Sequence, residues 1–342
     1  MEASSPQSVD AWNLVTALQS RFVAGLEGIA ERQGDPCAFS RTEWLRDEGT
    51  HGGGHRYSAP EPGLFDRASV NVSQVHYEDL PEKKLRAATA ISTIIHPRNP
   101  HAPSVHIHVS WTEMKDSAGY WRIMADLNPS VVHEEYRDRF AAALEEASPL
   151  QYEEAAAQGD RYFYIPALDR HRGVTHFYLE SYHTNDPSAD RSLAEQVGQA
   201  AIDSYLGILE SALQDHPEID EEARATQLAY HTLYLFQVLT LDRGTTSGLL
   251  VHDQNDVGIM GSLPSHVDRE LLRSWRDRVE SPQDKLVASL AAILPEKSPS
   301  PVDDPIKAQL AEAVRAHYRA HPEALQMQAS GNVIPPTVEN HR

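Results

Sequence analysis

The sequence predicts an α+β fold in which an antiparallel β-sheet is covered by helices. Between about residues 39 and 125, short apolar or alternating runs are broken by glycine and proline, a pattern typical of antiparallel strands. Longer segments on either side carry apolar residues at helical spacing. The length of 342 residues allows one large domain of this kind or two intimate ones.

The first predicted element is an amphipathic helix over residues 9–33, where Trp12, Val15, Leu18 and Phe22 recur at helical intervals. It should cover one face of the sheet. Segments with strand character then follow one another along the chain, and they are "GGGHRY", "ASVNVSQVHY", "AATAISTIIHPRNPHAPSVHIHVSW" and "YWRIMADLNP".

Beyond the predicted sheet region, helices are expected over "PSVVHEEYRDRFAAALEEASPLQYEEAAAQGD" and "SLAEQVGQAAIDSYLGILESALQDH", with the strand "GVTHFYLESY" between them. A last strand pair is expected at "LYLFQVLTLDRG" and "TSGLLVHDQNDVGIMG", followed by a core helix at "HVDRELLRSWRDRV". Residues 1–290 should form a single domain. Residues 291–342 should form a proline-containing linker, a short helix and a tail that is disordered from about residue 326.

Composition excludes several classes of function. The net charge of −20 disfavours nucleic acid as a partner, because the surface would repel a polyanion. The single cysteine, Cys37, excludes an intramolecular disulfide and a thiolate zinc cage. The chain shows no signal-peptide pattern and no run long enough to span a bilayer, so we expect a cytoplasmic protein without a membrane partner. It also lacks a glycine-rich phosphate loop and a G-x-S-x-G elbow.

Histidines on one predicted strand form a candidate metal site. In "SVHIHVSW", His106 and His108 are two residues apart, so both project from the same face and could bind one metal. His96 precedes the prolines of "PRNPHAP", and a hairpin there could return it beside His106. The alternative is that these are ordinary hydrogen-bonded side chains in a chain with 18 histidines. The proline-bounded hairpin favours a site.

Further candidates each have a structural alternative. His176 in "VTHFYLES" and His252 in "LLVHDQND" could be additional metal ligands or surface residues. Asp126 in "ADLNP" could orient a histidine or accept a proton, although aspartate before a proline is also common in turns. Asp242 and Arg243 in "LDRGTTSG" could hold a substrate carboxylate or could make internal ion pairs.

The ordered motifs "GGGHRY", "GLFDRASVNVSQVH", "ISTIIHPRNPHAPSVHIHV", "ADLNP", "RYFY…RG" and "LDRGTTSGL…IMGSLP" resemble the oxygen-dependent coproporphyrinogen III oxidase family over about residues 10–280. The resemblance implies a large antiparallel β-sheet flanked by helices on both faces and a homodimer. It also implies decarboxylation of two propionate side chains to vinyl groups by dioxygen, without an organic cofactor. Whether this family requires a metal has been argued both ways.

Site residues follow from the resemblance position by position. Ser92 matches a serine that contacts substrate, His96 and His106 match the first two functional histidines, and Asp126 matches the aspartate of the family's "ADLTP" motif. We expect His106 and Asp126 to be catalytic. The residues that this resemblance assigns to substrate binding are Ser92, Arg98, Asn99, Asp242 and Arg243.

The chain departs from the family at several of these motifs. Where the family has "HANVR" the chain has "HIHVS", so His108 replaces an asparagine and Ser110 replaces an arginine. Where the family has "TGGR" the chain has "VHDQ", so a second arginine is lost and His252 appears. His176 stands at a former glycine. Each lost arginine at a desolvated carboxylate costs on the order of 2–5 kcal/mol of binding.

These departures lead to one main hypothesis and two alternatives. The main hypothesis is a dioxygen-using oxidase that needs iron or copper and decarboxylates or desaturates a carboxylated, non-porphyrin small molecule or peptide in specialised biosynthesis. The first alternative is a genuine coproporphyrinogen III oxidase of haem biosynthesis. The second is a non-catalytic paralogue that binds a tetrapyrrole or a metal. The metal ligands expected under the main hypothesis are His96, His106, His108, His252 and His176.

Overall fold

A computed structural model describes residues 3–61, 63–251, 255–334 and 337–341. The chain divides into two compact units. The first comprises Met1–Asp160, Gly173–Pro217 and Gly331–Arg342, and the second comprises Arg161–Arg172 and Glu218–Ser330. This division differs from the predicted boundary at residue 290, because helices on both sides of that position belong to the second unit.

The first unit is built on a seven-stranded antiparallel sheet whose strand order follows the chain. Each strand therefore pairs with the strand that precedes it in sequence. The strands are β1 (Ser40–Leu45), β2 (Gly52–Ser58), β3 (Phe65–His76), β4 (Leu85–Pro97), β5 (Ser104–Met114), β6 (Tyr120–Asn128) and β7 (Thr175–Tyr182).

One face of this sheet is apolar and packs against three helices: α1 (Pro6–Arg32), α2 (Glu134–Ala147) and α4 (Pro187–Asp215). Val105, Ile107 and Val109, at alternate positions of β5, all lie in this core. The predicted first helix is confirmed. Fully burying each of its large apolar side chains contributes about 1.5–3 kcal/mol, and these include Leu14, Leu18, Phe22 and Leu26.

The opposite face of the sheet also contacts a helix. α3 (Tyr152–Phe163) approaches the start of β7 so closely that a Cβ added at Gly159 would stand 2.6 Å from the Cβ of His176. Only glycine permits this approach. The predicted α+β fold, with an antiparallel sheet and helices on both of its faces, is therefore confirmed.

The second unit is mainly helical. Its helices are α5 (Glu221–Thr240), α6 (Arg243–Val251), α7 (Asp256–Ile259), α8 (Arg269–Ser274), α9 (Gln283–Ile293) and α10 (Asp304–Ala320). The predicted last strand pair is wrong, because its described residues lie mainly in α5, α6 and α7 and none of them is in a strand. Residues 230–240 of α5 are all buried, and a helix buried on every side has the same continuous apolar pattern as a buried strand.

The C-terminal segment also differs from the prediction of a short helix and a disordered tail. α10 has 17 residues, and Asp303 caps it by accepting a hydrogen bond from the backbone N–H of Ile306. After α10, the Gln328 side chain donates to the hydroxyls of Thr246 and Tyr318 at 2.6 and 3.0 Å. A final helix, α11 (Thr337–Asn340), belongs to the first unit.

Among the described helices, none has both the length and the hydropathy needed to cross a membrane.

Candidate active site

The face of the sheet opposite the core carries a row of polar side chains that crosses neighbouring strands. His106 on β5 pairs with Ile94 on β4 and with Asp126 on β6, and Asp126 pairs in turn with His176 on β7. Paired residues project to the same face, so these four side chains share it. The next row on this face contains Arg56, Asn71, Ser92, His108 and Met124.

His106 and Asp126 form a hydrogen-bonded pair on this face. The His106 Nδ1 lies 2.8 Å from Asp126 Oδ1, and the Asp126 side chain has no solvent exposure whereas that of His106 is 17% exposed. The Asn128 amide donates to the other carboxylate oxygen, Oδ2, at 2.6 Å. A carboxylate held in this way fixes the ring and directs the His106 Nε2 away from the pair as a proton acceptor. The structure thus brings together the two residues that the sequence predicts to be catalytic.

His108 lies on the same face but has no carboxylate partner among the contacts described for it. Its Nε2 is 3.0 Å from the Ser110 hydroxyl. Burial lowers the pKa of His108 well below its ordinary value, and the positive charge of Arg122 and then the neighbouring His106 lower it further. His108 is therefore neutral under ordinary conditions, whereas His106 has an anion beside it.

Sequence reasoning missed Arg122, which stands directly opposite Ser110 in the β5 and β6 register. Its Nε donates to both carboxylate oxygens of Glu180, at 2.8 and 3.1 Å, and the Tyr178 hydroxyl donates to the same carboxylate. The Glu180 side chain has no solvent exposure. Strand alternation was the available signal, because residues 122, 124 and 126 of "YWRIMADLNP" must share one face.

His96 does not lie directly opposite His106 in the strand register. The register places Ile94 opposite His106 and Ser92 opposite His108, so His96 lies one pair further along the hairpin. His96 is fully buried, and its Nδ1 is 2.8 Å from the Ser104 hydroxyl. The proline-bounded turn that was expected is present, and the register places His96 on the same face as His106 but two residues further along β4 than the direct partner of His106, Ile94.

Of the two remaining predicted metal ligands, the structure describes His176. The His176 Nδ1 is 2.7 Å from the carboxylate of Asp160 on α3, and its side chain is 3% exposed. His252 lies outside the described residues. Within the described ranges, the convergent group of three or more metal-ligating side chains contains none of the predicted ligands, and it consists of His101, His133 and His216. An iron or copper ion at the predicted positions therefore stays a prediction.

The predicted substrate-binding residues of the first unit occupy different settings. Ser92 is half-buried opposite His108 on the polar face, and Arg98 is exposed just beyond β4. Asn99 is buried in the turn that follows β4. Its Oδ1 accepts from the backbone N–H of His101 at 2.9 Å, and its Nδ2 donates to the backbone carbonyl of His216 at 2.6 Å. Through these two bonds Asn99 joins the turn after β4 to the end of α4.

Asp242 and Arg243 lie in the second unit and make internal bonds there. Asp242 caps α6 by accepting from the backbone N–H of Thr245 at 3.0 Å, and it also accepts from the Tyr162 hydroxyl at 3.1 Å. The Arg243 guanidinium donates to the backbone carbonyls of residues 328 and 329, at 3.3 and 2.6 Å. These contacts match the structural alternative that the sequence left open, and a substrate-binding role for the two residues stays a prediction.

Comparisons with known proteins agree with the resemblance. The family model described as "Coproporphyrinogen III oxidase" matches residues 11–293. Oxygen-dependent coproporphyrinogen-III oxidase of Rickettsia akari (strain Hartford) is 30% identical over 246 residues, covering 68% of this chain and 85% of that protein. The proteins of the same name from Prochlorococcus marinus (strain AS9601) and Drosophila melanogaster are each 26% identical over 291 residues. They cover 74% and 78% of this chain, and 82% and 73% of their own lengths. The chain belongs to the coproporphyrinogen III oxidase family, whose members are oxidoreductases that use dioxygen.

Proposed function

We propose that this protein is a dioxygen-dependent coproporphyrinogen III oxidase that works on the polar face of its sheet. The observation that carries the proposal is the buried Asp126 carboxylate, held by Asn128 and bonded to His106. The names of the relatives support this substrate over the non-porphyrin acid that the sequence alone favoured. The homodimer that the resemblance implies, and the lack of nucleic-acid and membrane partners, stay predictions.

The reaction needs a base more than it needs a nucleophile. Conversion of one propionate to a vinyl group breaks a C–H bond and the bond to the carboxylate carbon, and it releases CO₂ and one hydride equivalent. Dioxygen accepts the two electrons and, with the released proton and one further proton, becomes hydrogen peroxide. A His106 imidazole backed by Asp126 is suited to accept and return one proton in this sequence, and a positioned acid–base group typically contributes about 10²–10⁴-fold in rate.

A substrate with several carboxylates requires cations around it. The family arginine that is absent at Ser110 has a counterpart across the strand pair, because Arg122 faces Ser110 in the register. Arg56 stands in the same row as Asn71, Ser92 and His108. The two guanidiniums can therefore take the place of the absent family arginines as hydrogen-bond donors to the substrate carboxylates, since a cation on an adjacent strand can reach the same position on the face.

The experiment that tests the proposal is an aerobic assay of the purified protein with coproporphyrinogen III. We expect two CO₂ and two hydrogen peroxide molecules per substrate, with formation of protoporphyrinogen and no turnover under argon. His106→Ala should abolish turnover. The matched control is His183→Ala, which removes an exposed histidine and should leave the rate unchanged. Absence of protoporphyrinogen from the folded wild-type protein would overturn the proposal.

A second candidate is oxidation of a smaller carboxylic acid. The observation in its favour is that the Arg122 guanidinium already faces the fully buried Glu180 carboxylate, which neutralises much of its charge. Such a face suits a substrate with fewer carboxylates than a tetrapyrrole. Dioxygen consumption and CO₂ release with a panel of simple propionate-bearing heterocycles, and none with coproporphyrinogen, would favour this candidate.

A further inference from the structure

Three histidines from distant parts of the first unit meet at the ends of its elements. His101 lies in the turn between β4 and β5, His133 directly precedes α2, and His216 directly follows α4. One nitrogen from each ring lies within 4.8 Å of the others, and all three side chains are half-buried. None of these residues takes part in the His106 and Asp126 pair, so the proposed oxidase activity leaves the cluster without a role.

Two of the nitrogens already stand at a separation that a metal requires. The His101 Nδ1 and the His133 Nε2 are 3.2 Å apart and share a hydrogen bond, so a metal that binds both nitrogens must displace the proton between them. Two imidazole nitrogens bound to one tetrahedral Zn²⁺, each at about 2.0–2.1 Å, are about 3.3 Å from each other. The His216 ring stacks on the other two, with centroid distances of 4.8 and 4.3 Å. Because an imidazole lone pair lies in the ring plane, His216 must rotate its side chain to complete the ligand set.

The backbone around the cluster is fixed by side chains that are not ligands. The Asn99 amide joins two of the three positions, since it accepts from the His101 backbone N–H and donates to the His216 carbonyl. The third residue, His133, is contacted by the Tyr136 ring at a centroid distance of 5.3 Å. The Tyr136 hydroxyl donates to Asp215, the residue before His216, at 3.3 Å. Because the backbone positions are held in advance, binding a metal would require the ordering of side chains but not of the backbone.

The electrostatic setting favours a bound cation. The carboxylate of Glu135 acts on the His133 ring and places negative charge beside the cluster. A chain with a net charge of −20 also attracts cations in general.

We propose that His101, His133 and His216 bind one borderline divalent cation of the Zn²⁺ class. Three neutral imidazoles without a thiolate suit Zn²⁺, Ni²⁺ or Cu²⁺ and are poor ligands for Mg²⁺ or Ca²⁺, which prefer oxygen. A metal bound here would tie the turn after β4 to the start of α2 and the end of α4. Water or a further ligand would complete its coordination.

The experiment is calorimetric titration of the metal-free, full-length protein with ZnCl₂, with Mg²⁺ as the comparison ion. We expect one equivalent of Zn²⁺ to bind to the wild type and no saturable binding of Mg²⁺. His133→Ala and His216→Ala should each weaken Zn²⁺ binding by more than about 100-fold, because each removes a ligand. His183→Ala, which removes an exposed histidine, should bind as the wild type does. Wild-type affinity in the two ligand variants would overturn the proposal.

A second measurement needs no variant and therefore does not depend on how a variant folds. Diethyl pyrocarbonate modifies imidazole nitrogens, and mass spectrometry reports the modified positions. With one equivalent of Zn²⁺, we expect modification of His101, His133 and His216 to fall at least about tenfold, while His183 reacts as before. Equal modification of the three histidines with and without Zn²⁺ would count against a metal site. Both measurements are independent of turnover, so a failed oxidase assay leaves this proposal standing.

Discussion

The polar sheet face and the cluster at the element ends use histidine in different ways. On the sheet face, His106 is bonded to a carboxylate that is fully withdrawn from solvent. In the cluster, His101, His133 and His216 face one another, and the carboxylate of Glu135 acts on His133. A carboxylate partner orients a ring for proton transfer, whereas three rings that face one another bring several imidazole nitrogens to one point, as a metal site requires. The immediate partner of each ring therefore decides its chemistry.

The strongest test of this contrast is to remove the charge behind His106. Asp126→Asn keeps the side-chain shape but removes the negative charge and one oxygen acceptor beside His106, so we expect the turnover number to fall by about 10²–10⁴-fold. Turnover can be followed by dioxygen consumption and CO₂ release. Asp116→Asn, at an exposed position, is the matched control and should keep its rate. If Asp126→Asn retained more than a tenth of the wild-type turnover number, the assigned role of the carboxylate would be wrong.

The second test concerns the other buried carboxylate on the sheet face. Arg122→Ala leaves Glu180 buried without its guanidinium partner, and breaking such a pair typically costs about 3–5 kcal/mol in the free energy of unfolding. Urea denaturation followed by circular dichroism should show this loss. Adding Glu180→Gln should restore most of the stability, because the amide has no charge to be compensated. A single Arg122→Ala variant as stable as the wild type would contradict the importance of this pair.

The smallest expected effect concerns His108, which shares a face with His106 but lacks its carboxylate. The pKa of His108 is lowered in the folded state, so below about pH 6.5 the unfolded chain binds a proton that the folded protein does not. Stability should therefore decrease as pH falls, by up to about 1.4 kcal/mol per pH unit, and this contribution should vanish above pH 7. Urea midpoints at pH 5, 6 and 7 measure it. His108→Asn should flatten the dependence, and an unchanged slope would exclude His108 as its source.

The parts of the molecule that the sequence predicted correctly depend on local patterns. The pairing of His106 with Asp126 was expected only from the family resemblance, because alternation does not give the order of the strands. Strand alternation was enough to predict that His106 and His108 share one face. The same rule should also have identified Arg122. The offset of His96 from His106 by one same-face position could not be predicted, because hairpin register depends on the turn as well as on the alternation.

The parts that were missed depend on tertiary structure. The C-terminal part of α5, from residue 233, was predicted as a strand because a helical segment buried on all sides loses its periodic pattern. The cluster of His101, His133 and His216 gives no local signal, since its members come from a turn, a helix start and a helix end. Only the packing of those elements brings the three rings together.

The order of the strands in the sheet also has a consequence for how the chain folds. His106 and Asp126 are 20 positions apart in sequence and lie on strands that form one hairpin. The bond that fixes the cluster, from Asn99 to His216, closes a loop of 117 positions. By loop-closure entropy alone, the longer connection costs about 1.6 kcal/mol more. We expect the proton-transfer pair to assemble early, as the hairpins form, and the histidine cluster to be completed late, once α4 has packed.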